Sequence, residues 1–451
     1  MDSLTKTPRY IRGKFIAASP TGAWCTEERR WLELDGEGLI VHFLDELPEN
    51  WREQGEALDY GDQLIIPAFT DLHLHAPQFG NCGLGYDLPL LPWLERYTFP
   101  EEARYAGADY AQRMYGRFVL ELLRAGSLDV AVYASLHVQA SLGLAQLMEE
   151  AGLAGLVGKV QMDRNGAPGL EEESAEASYE ATLAFLESFP QSERLFPVLT
   201  PRFAPSCSPQ LLDKLGQLAE QRGLAVQSHI NENPDEIAWV AELFPERSNY
   251  LEVYQHYGLC PRGRSILAHA IHNQSQEERD FLEGAIHLTH CPRSNMNLSS
   301  GMMPAARFFQ KGQSLSIASD IAGGDQLFMP QNIVSAVQMS KLRHLAHPEE
   351  GELSLAEAFY LATHSGRDYL RGCRPAAPQE VAHATADWAF AEGRAFTALV
   401  IDDGRFVERG DESVIERLEK FLYRGQASQI LERYQTGRRL DLEAFAAGLA
   451  G

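Results

Sequence analysis

The chain has no Cys-x-x-Cys pair; its six cysteines, at 25, 82, 207, 260, 291 and 373, are scattered. That usage fits a reducing cytoplasm, where cysteine serves as a small buried apolar residue. Positive charge is scarce: 39 basic against 63 acidic side chains leave a net charge of −24. Such a balance argues against nucleic acid or an anionic membrane surface as partner. No apolar run is long enough to span a bilayer. The opening Met1-Asp2-Ser3-Leu4-Thr5-Lys6 lacks the charged-then-apolar pattern of a secretion signal, and a cytoplasmic protein is expected. There is no repeat of fixed period and no low-complexity linker.

What is present is an ordinary globular composition, 45% hydrophobic and 23% charged, in a chain long enough for a large barrel and a second small domain. Short apolar runs alternate with helix-like stretches from residue 64 to about 370. Eight strands are predicted: Leu64–Leu72, Leu128–Ala134, Leu156–Met162, Leu195–Thr200, Ala225–His229, Ile266–His269, Ala285–His290 and Leu315–Asp320. Amphipathic segments lie between them, among them Tyr110–Ala125, Ser174–Phe189, Pro209–Arg222 and Gln276–Glu283. Eight such α/β units favour a closed (β/α)8 TIM barrel over residues 64–375. An open doubly wound sheet is the runner-up, but it wants a Gly-rich phosphate turn after the first strand. Residues 1–63 read differently, with β-strands at Arg12–Ala17 and Arg30–Leu34. The segment 376–451 carries a matching strand, Ala398–Ile401, so a small composite β-domain from both chain ends is predicted. Ser413–Tyr423 and Gln429–Tyr434 read as terminal helices.

The first strand runs into His73-Leu74-His75. Side chains alternate along a strand, so both imidazoles point to one side and can grip a divalent metal. With 14 histidines in 451 residues, chance gives about 0.4 such pairs per chain, so the pair carries little alone. Three further strand ends add to it: Gln227-Ser228-His229-Ile230-Asn231-Glu232, Ala268-His269-Ala270 and Ala318-Ser319-Asp320. Barrel active sites lie at the C-terminal ends of the strands, so these residues are expected at one mouth. Glu232, three residues past His229, is suited to shuttle a proton without ligating the metal. Asp320 can both ligate and hold an attacking hydroxide, and His269 can donate a hydrogen bond to it. His137, His256, His272, His287, His290 and His383 fall outside this pattern and are expected to be structural.

Six segments, in order, resemble the amidohydrolase superfamily, and within it the guanine deaminases. They are His73–Phe79, the loop Asp87–Glu102, Thr200-Pro201-Arg202-Phe203, Ser228–Asn233, His290–Asn295 and Ser319–Gly324. The resemblance implies a zinc-dependent hydrolase that deaminates guanine to xanthine and ammonia with a metal-activated water. It implies one Zn2+ per chain on His73, His75, His229 and Asp320. Fe2+ and Mn2+ accept the same ligands. Glu232, His269 and Asp320 become the catalytic groups, and Gln78, Arg202 and Phe203 hold the purine. Arginine is donor only and suits a 6-oxo acceptor, glutamine suits a mixed edge, and phenylalanine stacks on a flat heterocycle. A homodimer in purine catabolism is what the likeness suggests.

Binuclear relatives carry a bridging lysine at the fourth strand end. Here Val198-Leu199-Thr200-Pro201 has none, and the nearest lysine, Lys159, is expected mid-strand, which favours a single metal. The Gly-rich segment 80–86 is idiosyncratic and leaves other substrates open: 8-oxoguanine, a pterin or an s-triazine. A non-catalytic scaffold is the alternative from another class, and the full ligand set speaks against it. The His-x-Glu and Pro-Cys-x-x-Cys pattern of cytidine-type deaminases is absent.

Overall fold

The computed structural model describes residues 7–374 and 388–449. The first five strands are β1 Tyr10–Ala18, β2 Trp24–Glu27, β3 Trp31–Leu34, β4 Ile40–Leu44 and β5 Ala57–Pro67. Ten more follow: β6 Phe69–His75, β7 Ser127–Tyr133, β8 Ala154–Gly158, β9 Val160–Gln161, β10 Leu195–Pro197, β11 Thr200–Pro201, β12 Val226–Ile230, β13 Ser265–His269, β14 His287–His290 and β15 Leu315–Ile317. The last three are β16 Ala398–Ile401, β17 Ile430–Gln435 and β18 Arg438–Arg439.

Strands β1 to β5 and β16 to β18 form one mixed eight-stranded sheet, in which β16 from the C-terminal end pairs antiparallel with β5. Strands β6 to β15 are all parallel to their neighbours, in the orders β10-β8-β7-β6, β11-β9 and β12-β13-β14-β15. A parallel bridge between Leu199 and Val226 joins the fourth unit to the fifth. On the other side, Asp320 N–H donates to His73 O at 2.9 Å and His75 N–H to Ile321 O at 2.7 Å. The chain is thus a mixed α/β fold with helices between parallel strands. Parallel strands buried on both faces read as apolar runs, and every residue of β6 and β7 is buried.

The helices follow the 3.6-residue period. Ala108–Ala125 buries Ala111, Met114, Tyr115, Phe118, Val119, Leu122 and Leu123 on one face. It stops at Gly126, whose φ of 80° is the left-handed conformation that ends a helix. Pro209–Arg222 starts on Ser208, whose hydroxyl accepts from Leu211 N–H at 3.2 Å.

Four expectations need correcting. Leu156–Met162 divides at Lys159 into β8 and β9, and Leu195–Thr200 divides into β10 and the first residue of β11. Leu64–Leu72 is not one strand. The chain leaves the mixed sheet after Pro67 and enters the parallel sheet at Phe69. Ala68 is the crossing point, its N–H on Thr397 O and its carbonyl taking Arg367 Nη2. Nor is Gln429–Tyr434 a helix. Residues 430–435 are β17, paired with β16 and β18, because a partner edge was there to bond their backbone. The helix Val414–Arg424 does form. His383 lies outside the described residues.

Candidate active site

His73 and His75 sit on β6, His229 on β12, His269 at the end of β13 and Asp320 just beyond β15. Strand ends 250 residues apart in sequence meet here. His73 Nε2 lies 3.2 Å from Asp320 Oδ1, and His75 Nε2 lies 3.4 Å from the same oxygen. His229 Nε2 and His75 Nε2 are 3.2 Å apart. The ligand-type atoms of His73, His75 and His229 all fall within 4.8 Å of one another. A second set, His73, His269, Cys291 and Asp320, shares His73 with the first and keeps its ligand-type atoms within the same 4.8 Å, all four residues buried. His73 Nε2 is buried with no hydrogen-bond partner. An orphaned nitrogen of that kind fits a cation, since neutral imidazole and carboxylate are the donors divalent first-row metals accept.

Tautomers agree. His229 Nδ1 contacts the carbonyl of Arg202 at 2.6 Å. A carbonyl only accepts, so Nδ1 carries the proton and the Nε2 lone pair faces the cluster. His269 Nδ1 likewise bonds Asn295 Oδ1 at 3.0 Å, leaving Nε2 towards Glu232 Oε2 at 3.5 Å and Asp320 Oδ2 at 3.8 Å. Burial pushes the His73 imidazolium down to about 4, and burial plus the neighbouring rings holds His229 well below its usual range. Burial alone would raise Asp320, but His73, His75 and His269 outweigh it and keep the carboxyl well below the usual range. Neutral rings and an ionised carboxylate are the ligating forms.

Glu232 is positioned by the turn into the next helix. Asn233 caps Pro234–Leu243, accepting from Asp235 N–H at 2.9 Å. Glu236 reaches back to the Glu232 and Asn233 amides, the reciprocal arrangement of a capping box. Glu232 Oε1 accepts from Ser300 Oγ at 3.1 Å. Burial raises its carboxyl to about 7. Asn231, His269 and Asp320 all have positive φ, 50°, 78° and 49°. Non-glycine residues in that region are strained, and strain collects at functional strand ends.

The same residues open onto a cavity of about 460 Å³, part of it open to solvent. Its lining includes His75, His229, Glu232, His269 and Asp320 together with Gln78, Arg202 and Phe203. The structure therefore brings every candidate residue to one cavity except His73, which lies behind it in the cluster. Leu90, Trp93 and Leu298 pack together and form an apolar part of the lining. Phe203 is held edge-on by Trp239, with ring centres 5.9 Å apart.

Lys159 is buried between β8 and β9, its Nζ on Val160 O at 3.0 Å and Glu172 Oε1 at 2.6 Å, so it is engaged in an ion pair. His290 is buried beside the site at the end of β14. His287 bonds Ser314 and Ser316, and His272 bonds the Ser300 carbonyl.

Sequence reading missed several participants. Glu102 accepts from Gln78 Nε2 at 2.8 Å and forms an ion pair with Arg202 Nη1. Tyr133 packs against His73, His75 and His229, with ring centres 5.0, 4.4 and 5.1 Å away. Asn295, Ser300 and Glu236 hold His269 and Glu232 as described. Glu102 and Asn295 lie inside segments already singled out, but nothing local tells a partner from its neighbours.

Residues 64–371 match the amidohydrolase family. That match covers more than half of the chain, which therefore belongs to the amidohydrolase family. The guanine deaminase of Dictyostelium discoideum is 34% identical over 396 residues, 86% of this chain and 85% of that protein. A crystal structure of guanine deaminase from C. acetobutylicum with bound guanine superposes with a TM-score of 0.89 at 34% identity, covering 96% of this chain and 99% of that one. The E. coli guanine deaminase structure gives a TM-score of 0.84 at 29% identity, with 96% and 99% covered. Within the family, the place of this chain is among the guanine deaminases.

Proposed function

We propose that this protein hydrolyses guanine to xanthine and ammonia. The observation that carries the reading is one cavity lined both by residues of the metal-ligand cluster and by Arg202, Gln78 and Phe203. Kinship with the guanine deaminases supports it.

His73, His75, His229 and Asp320 would hold one Zn2+ per chain. When bound, the metal lowers the pKa of water towards neutrality. Water adds its oxygen to C2 of the base as the exocyclic C–N bond breaks. Glu232, its carboxyl raised by burial to about 7, carries one proton of the water to the ring nitrogen beside C2 and the second, from the hydroxyl left on C2, to the amine, which departs as ammonia. His269, its burial outweighed by Glu232 and Asp320 so that the ring stays protonated, holds Asn295 with Nδ1–H and donates from Nε2–H to the attacking oxygen. Arg202 donates to the 6-oxo group, Gln78 reads the adjoining edge and Phe203 stacks on the ring.

The same proposal includes the closure of β6 to β15 into a (β/α)8 barrel, supported by the Leu199–Val226 bridge and the Asp320–His73 and His75–Ile321 hydrogen bonds. It also includes a composite β-domain from residues 1–63 and 376–451, supported by the β5–β16 pairing. A homodimer working in the cytoplasm completes it; all six cysteines are free thiols, and no described helix is long and apolar enough to cross a membrane. The test is ammonia release over a panel of purines, pyrimidines, pterins and s-triazines. Guanine should be preferred by orders of magnitude; a better pterin or triazine substrate would overturn the assignment.

A further inference from the structure

We infer that Glu102 is a positioning residue that sets the specificity of the purine pocket: it orients Gln78 and neutralises Arg202, so that the site takes neutral 6-oxopurines and discriminates against anionic ones. The inference rests on the substrate reading above.

Glu102 is buried, and its side chain does not line the cavity. It stands behind the two residues that do. Its Oε1 accepts from Gln78 Nε2 at 2.8 Å, and its Oε2 takes the Arg202 Nη1 donor. Gln78 and Arg202 are themselves 3% and 4% exposed. On the far side, Gln78 Oε1 accepts from Ala322 N–H at 3.2 Å. The amide is therefore held at both ends and cannot flip, because a flip would set its NH2 against the Ala322 N–H. One N–H and one oxygen lone pair remain for a ligand.

Arg202 is clamped by the same segment. Its guanidinium lies over the Phe99 ring, 5.2 Å from the centre, while Glu102 holds Nη1. A buried guanidinium without a counter-charge would attract any purine anion strongly. Paired with Glu102 it presents directed N–H groups with little net charge. That suits a carbonyl acceptor better than an anion. The reaction gives this a use: xanthine is a stronger N–H acid than guanine, so a neutralised pocket releases its product.

A carboxylate is required, because two donors approach two different oxygens. In a Glu102→Gln variant one of those oxygens becomes an NH2, and one donor must face another donor. In Glu102→Asp the charge stays and only the reach shortens.

The experiment measures inhibition of guanine turnover by hypoxanthine, which stays neutral, and by xanthine, at a mildly alkaline pH where xanthine is largely the monoanion. Metal content is checked in each protein. Wild type should favour hypoxanthine. Glu102→Gln should shift the ratio of the two inhibition constants towards xanthine by about tenfold or more, while guanine kcat/KM falls by about 10- to 100-fold, chiefly through KM. Glu102→Asp should keep the wild-type ratio. An unchanged ratio in Glu102→Gln with metal retained overturns the inference. So does an equal shift in Glu102→Asp, which would mean packing and not charge is at work. If Glu102→Gln fails to fold, Glu102→Asp decides: a ratio moved towards xanthine despite the retained charge overturns the inference, and the wild-type ratio sustains it. Turnover of guanine by wild type tests the substrate reading separately.

Discussion

His229 Nδ1 donates to the backbone carbonyl of Arg202 at 2.6 Å. A candidate metal ligand and a candidate purine-reading residue are thereby tied together, each locating the other. His229 cannot turn without losing a charge-orienting bond, and the backbone at 202 cannot shift without moving His229.

Arg202→Ala removes the proposed donor to the 6-oxo group and leaves Glu102 without its counter-charge, with Gln78 still bonded to it. Guanine kcat/KM should fall by roughly 10³ or more, while 2,6-diaminopurine, which lacks the oxygen, loses much less. Steady-state kinetics on both bases and both proteins measures this. Equal losses would mean that Arg202 does not read the oxygen.

The metal cluster predicts about one divalent ion per purified chain. His73→Ala should lose both the ion and turnover, since it removes the nitrogen common to both sets of ligand-type atoms. Metal analysis beside activity decides it, and two ions per chain would contradict the single-metal reading.

Glu232→Gln keeps the shape and should keep the metal, yet lose about 10²–10⁴ in kcat. A base works only when unprotonated, and burial puts this carboxyl at about 7. A bound cation would draw it lower. In wild type, kcat should therefore fall as pH drops through a value at or below about 7. That acid limb should be missing from the pH profile of the variant.

Gly216 lies inside the helix Pro209–Arg222, where Gly→Ala normally stabilises by about 1 kcal/mol. Here a Cβ would come within 1.6 Å of the Tyr257 carbonyl oxygen. Backbone cannot yield as a side-chain end can, so Gly216→Ala should destabilise by about 1–3 kcal/mol. Thermal unfolding would show a lower Tm, and a higher one would refute the close approach.

The sequence alone determined what depends on local order. Periodicity marked the helices, as in Pro209–Arg222, and apolar runs marked the parallel strands, because each pattern is set within a few residues. The residue types at the strand ends supplied the candidate chemistry: His73, His75, His229, His269, Glu232 and Asp320 read as ligand and acid–base material. Tertiary structure alone decided what depends on a partner distant in the chain. Residues 430–435 are equally apolar as helix or strand, and the free edge of β16 settles the matter. Pro67 and Phe69 read as one run, but Thr397, Gly126 and Arg367 bond its two halves into different sheets. Glu102 meets Gln78 and Arg202 across 24 and 100 residues, and no local pattern encodes that meeting. A buried carboxylate needs its donors wherever the fold supplies them, and only the folded chain says where they are.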